Sequence, residues 1–567
     1  MIIYAVYNVF SFVKDGFMKR ITAIILCLCM IAVFMPEMKA EAIAVPVSTV
    51  KIGLSYGDNG VPAAKLQNVS GQSEGFKIGF YNASNSFWEL YSTKESQITI
   101  LKDKAMWITS SNDYYDAKPS SHKYYIGSYH LQLDESYADA SSAMTLAGIF
   151  TAMGYQAFPA FINSKFRLRV GEFLTVDAAT EALKKLTSST GMNFNVVGNS
   201  TTCYTVTVTG TDRILFEIDS HSQPLGIQPN SKETWYNKYK YYGGFEFRRV
   251  YGNDLTVINI VEMNDYVKGV VPYEMSASWH AEALKAQAVC AKSYACNNLN
   301  KHKSMGFDLC NTTDCQVYYG TNQATAATDA AVEAVRGIYA TYNGQIAMTY
   351  YHSNSGGHTE DVENIWGSYV PYLRGVEDIH LENPRPYSFT IDLKTISEIL
   401  KLKGYTNQNV TDYFVSRTSR TGNVLEVTFT QADGSPLKLS GDRSRTALNN
   451  SSLGVSVSSH RFNITPVIGI YINKNLVQTG INSLHAIGGD GTVSALTATN
   501  HGNVKAITDK GIVSLSPSNI SFTVSGTGSG HHIGMSQSGA RSMANKGFNY
   551  EDILKFYFTG IDVTYLG

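Results

Sequence analysis

YHLQLDESYADASSAMTLAGIFTAMGYQAFPAFINSKFRLRV, from Tyr129 to Val170, passes from the two-residue period of a strand to the period of a helix and back again. Tyr129-His130-Leu131-Gln132-Leu133 reads as a strand. Residues 138–153 have helical periodicity and stop at Gly154. Residues 157–162 and 166–170 are predicted strands joined by Asn163-Ser164-Lys165. Just beyond, Thr175 is placed to cap a helix over 176–186, and 193–197 closes the unit as a strand. The predicted order is βαββαβ, a ferredoxin-like layout.

On the amino-terminal side, residues 50–103 alternate apolar and polar and read as strands, with nothing in them that carries chemistry. Further upstream, Lys19-Arg20 precedes an apolar run over 21–34, and Ala40-Glu41-Ala42 offers a small-residue cleavage site. That is the layout of a secretory signal, with Met18 the natural initiator; an uncleaved anchor is the alternative. The expected location is outside the cell, secreted or cell-wall associated. Cys27 and Cys29 leave with the signal. Five cysteines remain, an odd number that implies no complete disulfide framework. Cys290 and Cys296 sit six apart on one predicted helix, on different faces, and read as buried small hydrophobes.

The 46 Lys and Arg are matched by 47 Asp and Glu, so no field steers the chain toward nucleic acid or an acidic membrane, and no nucleic-acid partner is expected. Tyrosine is abundant, at 36 residues, and charge is low, at 16%. Such surfaces suit neutral, hydroxyl-rich ligands.

On the carboxyl-terminal side, residues 203–247 read as strands and turns. A strand over 255–261 follows, then a short helix capped by Asn264 and stopped by Pro272. A second helix is predicted over about 280–299, with the apolar line Leu284, Ala288, Ala291, Ala295, Leu299 at helical spacing. Glu274 falls on the connection between the two. A carboxyl held among apolar and aromatic groups resists ionisation and can serve as a general acid; on spacing alone, a surface carboxylate on a turn is the favoured reading. Asn343-Gly344 marks a tight hairpin between 338–342 and 345–351, which leads to Ser353, Ser355 and Thr359 around Gly356-Gly357. The run Gly528-Ser529-Gly530-His531-His532-Ile533-Gly534-Met535-Ser536-Gln537-Ser538-Gly539-Ala540 interleaves glycines with short polar side chains, the build of a binding loop.

Two resemblances bear on these segments. Tyr129–Leu133, Phe166-Arg167-Leu168-Arg169-Val170-Gly171-Glu172-Phe173 and Ala178-Ala179-Thr180-Glu181-Ala182-Leu183 resemble the SPOR family, which implies binding to peptidoglycan glycan strands stripped of their peptides. Val271-Pro272-Tyr273-Glu274-Met275, Glu282-Ala283-Leu284-Lys285-Ala286-Gln287-Ala288-Val289, Ser293-Tyr294-Ala295, Cys315-Gln316-Val317-Tyr318, Tyr351-His352-Ser353-Asn354-Ser355-Gly356-Gly357-His358-Thr359-Glu360 and the 534–540 loop resemble, in that order, the SpoIID/LytB family, named for stage II sporulation protein D. The expected fold is α+β, an antiparallel-sheet-rich SpoIID-like domain preceded by a βαββαβ SPOR-like domain. The expected divisions are a signal region over 1–42, a β-rich segment over 43–122, the SPOR-like domain over 123–200, a β-rich connector over 201–246 and the SpoIID-like domain over 247–567.

The sporulation branch of that family implies a lytic transglycosylase. It would cleave the MurNAc–GlcNAc bond of peptidoglycan glycan strands and leave anhydro-MurNAc ends, with a preference for strands without stem peptides. Glu274 falls on the family's acid. One carboxyl runs both steps, protonating the leaving oxygen and then accepting the proton of the attacking C6 hydroxyl. Lys285, Ser353, Ser355, Thr359, His531, Ser536 and Gln537 are the implied substrate contacts, His531 donating to the sugar or to Glu274; Lys285 can instead pair with Glu282. The LytB branch implies a different class, a non-catalytic glycan-binding modifier of a cell-wall amidase. No cofactor is required for the chemistry. Some relatives bind zinc at the position of Cys310-Asn311-Thr312-Thr313-Asp314-Cys315, with His302 the upstream imidazole; a disulfide and two free thiols are the other readings, and a zinc would be structural and distant from the chemistry. The chain departs from the family at His532, commonly Gly, at Ser538, commonly aromatic, and at Asp314, often His.

Overall fold

Every residue of Thr256–Glu262 except the last is buried, the mark of a strand covered on both faces. It is central to a seven-stranded sheet. Thr49–Ser55 pairs with one edge, antiparallel, and Gly244–Arg248 with the other. Leu225–Pro229, Phe76–Tyr81 and Phe87–Thr93 continue the sheet on the far side, and Leu309–Cys310 closes the near edge. The computed structural model describes residues 46–567 apart from 220, 222, 473–474, 481–484, 488–492, 496–504, 509–510 and 515–519. The signal region over 1–42, with Cys27 and Cys29, lies outside them. Among the described residues, no helix is long and apolar enough to cross a membrane.

The expected divisions at 122, 200 and 246 do not separate bodies. Thr49–Ser55 and Phe76–Tyr81 come from the amino-terminal segment and Leu225–Pro229 from the connector, yet all three belong to the main sheet. Hydrogen bonds between strands ignore sequence distance, so a segment with no chemistry of its own can complete a distant sheet.

A second sheet has ten strands, in the order Phe194–Gly198, Tyr129–Leu133, Lys165–Phe173, Ala157–Ile162, Ile214–Asp219, Tyr204–Val208, Gln97–Lys102, Ala63–Asn68, Glu233–Tyr236 and Tyr239–Tyr242. The first four come from the unit read outward from Tyr129. Their hairpin turns at Asn163 and Ser164, both at positive φ (51° and 62°). Helix Val176–Thr190 runs four residues longer than predicted. Thr175 accepts from the Ala178 N–H at its start, and Gly191 ends it in the left-handed conformation. The predicted helix over 138–153 is broken: Asp139 caps Ala140–Ala143, a 3-10 turn follows at Met144–Leu146, and Ala147–Ala152 completes it.

Ala157–Ile162 pairs in parallel with Ile214–Asp219, joining this unit to the connector. Behind the joint lies a buried charge cluster. Glu217, fully buried, meets Arg169 at 2.7 Å and His130 at 3.2 Å, and accepts from the Thr205 hydroxyl. Burial pushes the Glu217 carboxyl up, but the His130 and Arg169 charges outweigh it and hold it down, at about 2.

A third body is inserted within the last domain. Between Pro386 and Thr527, helix Leu393–Leu402 and strands Val410–Thr418, Val424–Gln431 and Phe462–Ile472 carry a core of their own, including Ile396, Ile399, Phe429 and Phe522.

Candidate active site

Helix Met263–Glu274 begins where the Glu262 carboxylate accepts from the Asn264 and Asp265 N–H groups; the cap is Glu262, not Asn264. Nor does the helix stop at Pro272. The proline sits in the last turn, where its missing N–H costs one bond, and Glu274 ends the helix rather than lying on a free connection. The next helix, Ala281–Asn297, starts at His280, whose ring accepts from the Glu282 N–H. Ala283 to Ala295 are buried in it apart from Lys285, including Gln287 and Lys292. Leu284, Ala288, Ala291 and Ala295 face the core as the apolar line requires. Cys290 is fully buried and Cys296 only partly so.

Glu274 opens into a cleft of about 350 Å³. Cys315 and Gln316, a cluster of the Tyr350, Trp366 and His531 rings, Gln537 and Ser353 line it. Burial pushes the Glu274 carboxyl above its ordinary value, against hydrogen bonds from Gln537, Val317 and Tyr351. Gln537 Nε2 lies 3.1 Å from Glu274 Oε2.

A hydrogen-bond chain reaches the other oxygen. Gln316 Nε2 lies 3.2 Å from the Ala291 carbonyl, which can only accept, so the amide orientation is set. Gln316 Oε1 then faces the Tyr351 hydroxyl at 2.8 Å and takes its single hydrogen. The Tyr351 hydroxyl also lies 3.4 Å from Glu274 Oε1, a long contact to which it donates when its hydrogen turns away from Gln316. Burial therefore raises the affinity of the Glu274 carboxyl for its proton, with only uncharged groups hydrogen-bonded to it.

The other predicted site residues divide. Ser353 and Gln537 line the cleft, and Arg385 donates to the Ser353 hydroxyl at 3.3 Å. His531 lines it too, but bonds to the Ile533 N–H through Nδ1 rather than to Glu274, so its ring proton sits on Nε2. Burial drives its basicity far below the ordinary imidazole range and that of His352 down to about 4, so both rings are neutral.

Ser355, Thr359 and Ser536 are fully buried and spend their hydroxyls inside the protein. Ser355 donates to Asp378 at 2.6 Å. Thr359 accepts from the Val376 N–H at 2.8 Å. Ser536 caps helix Gln537–Asn545. They shape the loops instead of facing a ligand. Lys285 is outside the cleft lining and pairs with Glu282 at 2.7 Å. The predicted strand over 345–351 is also broken. Gln345–Ile346 pairs in the hairpin, whereas Tyr351–His352 leaves it to pair in parallel with Met535–Ser536, bringing the two loops together. His532, at φ 63°, is accommodated by turning inward to Asn423, 3.1 Å away.

Tyr351, Gln316, Trp366 and Tyr350 do not stand out in the sequence. The first two lie inside the family motifs, where their polar groups are the available signal; Trp366 has none.

His302, Cys310, Asp314 and Cys315 place one donor atom each within 4.8 Å of one another. His302 Nε2 is 3.4 Å from Cys315 Sγ and 3.4 Å from Asp314 Oδ2. The cluster is not distant from the cleft: Asp314 and Cys315 line it.

The family model described as "Stage II sporulation protein" matches residues 251–342, and the SPOR domain model matches residues 126–198. An uncharacterized protein of Brachyspira hyodysenteriae is 32% identical over 329 residues, 58% of this chain and 73% of that protein. The amidase enhancer of Bacillus subtilis is 31% identical over 53% of this chain and 40% of its own length. The stage II sporulation protein D of the same organism is 26% identical over 54% of this chain and 75% of its own length. A SPOR domain followed by this acid-bearing helix pair defines a protein associated with the cell wall. The chain belongs to the stage II sporulation protein D family.

Proposed function

We propose that the chain is an exported lytic transglycosylase that cleaves MurNAc–GlcNAc bonds in peptidoglycan glycan strands. The observation that carries this is Glu274, a carboxyl whose proton affinity is raised by burial, in a cleft lined by Tyr350, Tyr351 and Trp366 and held by neutral partners. Such an acid can protonate the glycosidic oxygen as the bond breaks. Once ionised, it accepts the proton of the C6 hydroxyl that closes the anhydro ring. Asp314, the other carboxylate on the lining, is committed to Lys301 and His302 at 3.1 and 3.4 Å, away from the two-carboxylate arrangement of ordinary glycosidases. His531 supplies an Nε2 proton and Ser353 a hydroxyl to sugar substituents. Weak overall charge suits strands already stripped of stem peptides by an amidase.

The test is to incubate the protein with the same wall preparation before and after amidase treatment and to analyse the products. Anhydro-ended fragments, formed faster from the stripped wall, are expected. Cleavage of the intact wall at an equal rate removes the preference. No cleavage of either wall, with acceleration of an added amidase, gives the second reading, a non-catalytic modifier. The similarity to an amidase enhancer is the observation that favours this second reading.

We also propose that His302, Cys310, Asp314 and Cys315 hold a zinc ion. Two thiols, an imidazole and a carboxylate are a zinc donor set; all four donor atoms lie within 4.8 Å of one another, and four of their pairs at 3.4 to 4.0 Å suit the edges of a tetrahedron around it. Bound there, zinc would fix the Cys310–Cys315 loop and, through it, the position of Gln316.

A further inference from the structure

Arg385 stands at the rim of the Glu274 cleft in a backbone conformation that residues with a side chain avoid. Its φ is 53°, in the left-handed region, at a cost in free energy. Its neighbours hold the turn there. The Asn383 side chain accepts from the Arg385 N–H at 2.9 Å, and the Asn354 amide donates to the Asn383 carbonyl at 2.8 Å. On the other side, the Gly528 N–H donates to the Pro384 carbonyl at 2.7 Å and to the Arg385 carbonyl at 3.1 Å. Asn354 follows Ser353, and Gly528 lies just before Gly530; Ser353 and Gly530 both line the cleft. The two loops that carry this part of the lining therefore grip the turn that presents Arg385.

The guanidinium reaches the cleft without a counter-charge. Nη1 donates to the Ser353 hydroxyl at 3.3 Å, and among the described residues Arg385 makes no ion pair. Neighbouring cations are committed: Lys301 to Asp314 at 3.1 Å, Arg445 to Asp442 at 3.0 Å, and Arg374 to Glu363. The His352 and His531 rings are neutral. A guanidinium has five N–H groups in a fixed fork, and Ser353 takes one of them. The others suit the two oxygens of a carboxylate.

We propose that Arg385 is a specificity-determining residue that binds the lactyl carboxylate of the muramic ring cleaved at Glu274. This rests on the proposed function above, in which that ring occupies the cleft. In the intact wall the lactyl carboxyl is an amide, because the stem peptide is attached there. Hydrolysis by an amidase leaves a free carboxylate on the same ring whose anomeric bond is to be broken. A stripped strand thus differs from an intact one by a negative charge close to the reacting centre. A guanidinium without a counter-charge beside the cleft reads that difference, since it gains a paired contact with the carboxylate and only a neutral carbonyl with the amide. The strained turn then has a use, because it aims the side chain at Ser353. The preference for stripped strands acquires a local cause, independent of the weak charge of the whole chain.

The probe is a peptide-free tetrasaccharide of alternating GlcNAc and MurNAc, used with free lactyl carboxylates and with the same carboxylates converted to methylamides. Binding is measured on the full chain carrying Glu274→Gln, so that neither form is consumed. That chain should bind the carboxylate form about tenfold more tightly, the worth of one charge-assisted contact, and added salt should narrow the gap. Adding Arg385→Gln should make the two forms bind alike, at the affinity of the methylamide. The melting temperature should not change, since glutamine at this φ is strained no more than arginine. Arg385→Lys should keep part of the preference, because it retains the charge without the fork. No discrimination by the Glu274→Gln chain, or discrimination that survives Arg385→Gln, overturns the proposal. Discrimination through Arg385, with no anhydro ends from the chain that retains Glu274, would refute the transglycosylase and leave the carboxylate site standing. Anhydro ends from a chain indifferent to the carboxylate would do the reverse.

Discussion

Gln537 Nε2 donates to Glu274 Oε2 at 3.1 Å, across 263 residues of chain. The bond ties the glycine-rich loop near the carboxyl terminus to the last turn of the acid's helix. With Tyr351 on the other oxygen, it leaves the carboxyl enclosed by uncharged groups.

Glu274→Gln should abolish anhydro-product formation while glycan binding persists. The introduced amide can accept from Gln537 and donate to the Tyr351 oxygen, so the local bonds survive and only the transferable proton is lost. The same substitution should raise the melting temperature at neutral pH. A carboxyl whose folded value is raised contributes stability that is complete below its unfolded value and lost as pH rises through the folded one. The amide has no such loss. Retained turnover would refute the role of Glu274, and an equal melting temperature across pH would refute its raised proton affinity.

Gln316→Leu should shift the activity limit on the alkaline side to lower pH. Without Gln316 Oε1, the Tyr351 hydrogen turns to Glu274 and stabilises the carboxylate, so the acid loses its proton earlier. Losing the bonds to Tyr266 and Ala291 should also cost about 1–3 kcal/mol of stability. The pH–rate profile separates the effects, because simple destabilisation lowers the rate without moving the limb.

Cys310→Ser with Cys315→Ser should remove bound zinc, read by metal analysis of the purified chain. Removal of the metal from the parent by a chelator should lower the melting temperature, and added zinc should restore it. A parent chain without zinc, whose two thiols are oxidised to each other, would establish the disulfide instead.

Glu217→Gln should destabilise the joint between the SPOR domain and the connector by about 3–5 kcal/mol, because Arg169 is left buried without its counter-charge. In the parent, stability from Glu217 is complete above its ordinary carboxyl range and is lost as pH falls from there toward about 2. Thermal unfolding across acid pH should show this slope in the parent and a reduced one in the variant.

Local patterns in the sequence were enough for the helix after Thr175 and its cap, the helix after His280 and the Asn343-Gly344 turn, since each depends on residues a few positions apart. The blocks around Glu274 and Gln537 were legible as motifs for the same reason, and their order along the chain identified the family. Tertiary structure decided what those residues touch. Ser355, Thr359 and Ser536 looked like ligands because a hydroxyl in a glycine-rich loop reads the same whether it faces a cleft or Asp378. Tyr351, 77 residues from Glu274, could acquire its role only when its strand left the hairpin to pair with Met535–Ser536. Thr49–Ser55 carries no sign in its own residues that it completes a sheet more than two hundred positions away. Composition and periodicity record which face of an element is apolar; which distant element covers that face is settled by packing, and the raised proton affinity of Glu274 follows from that packing.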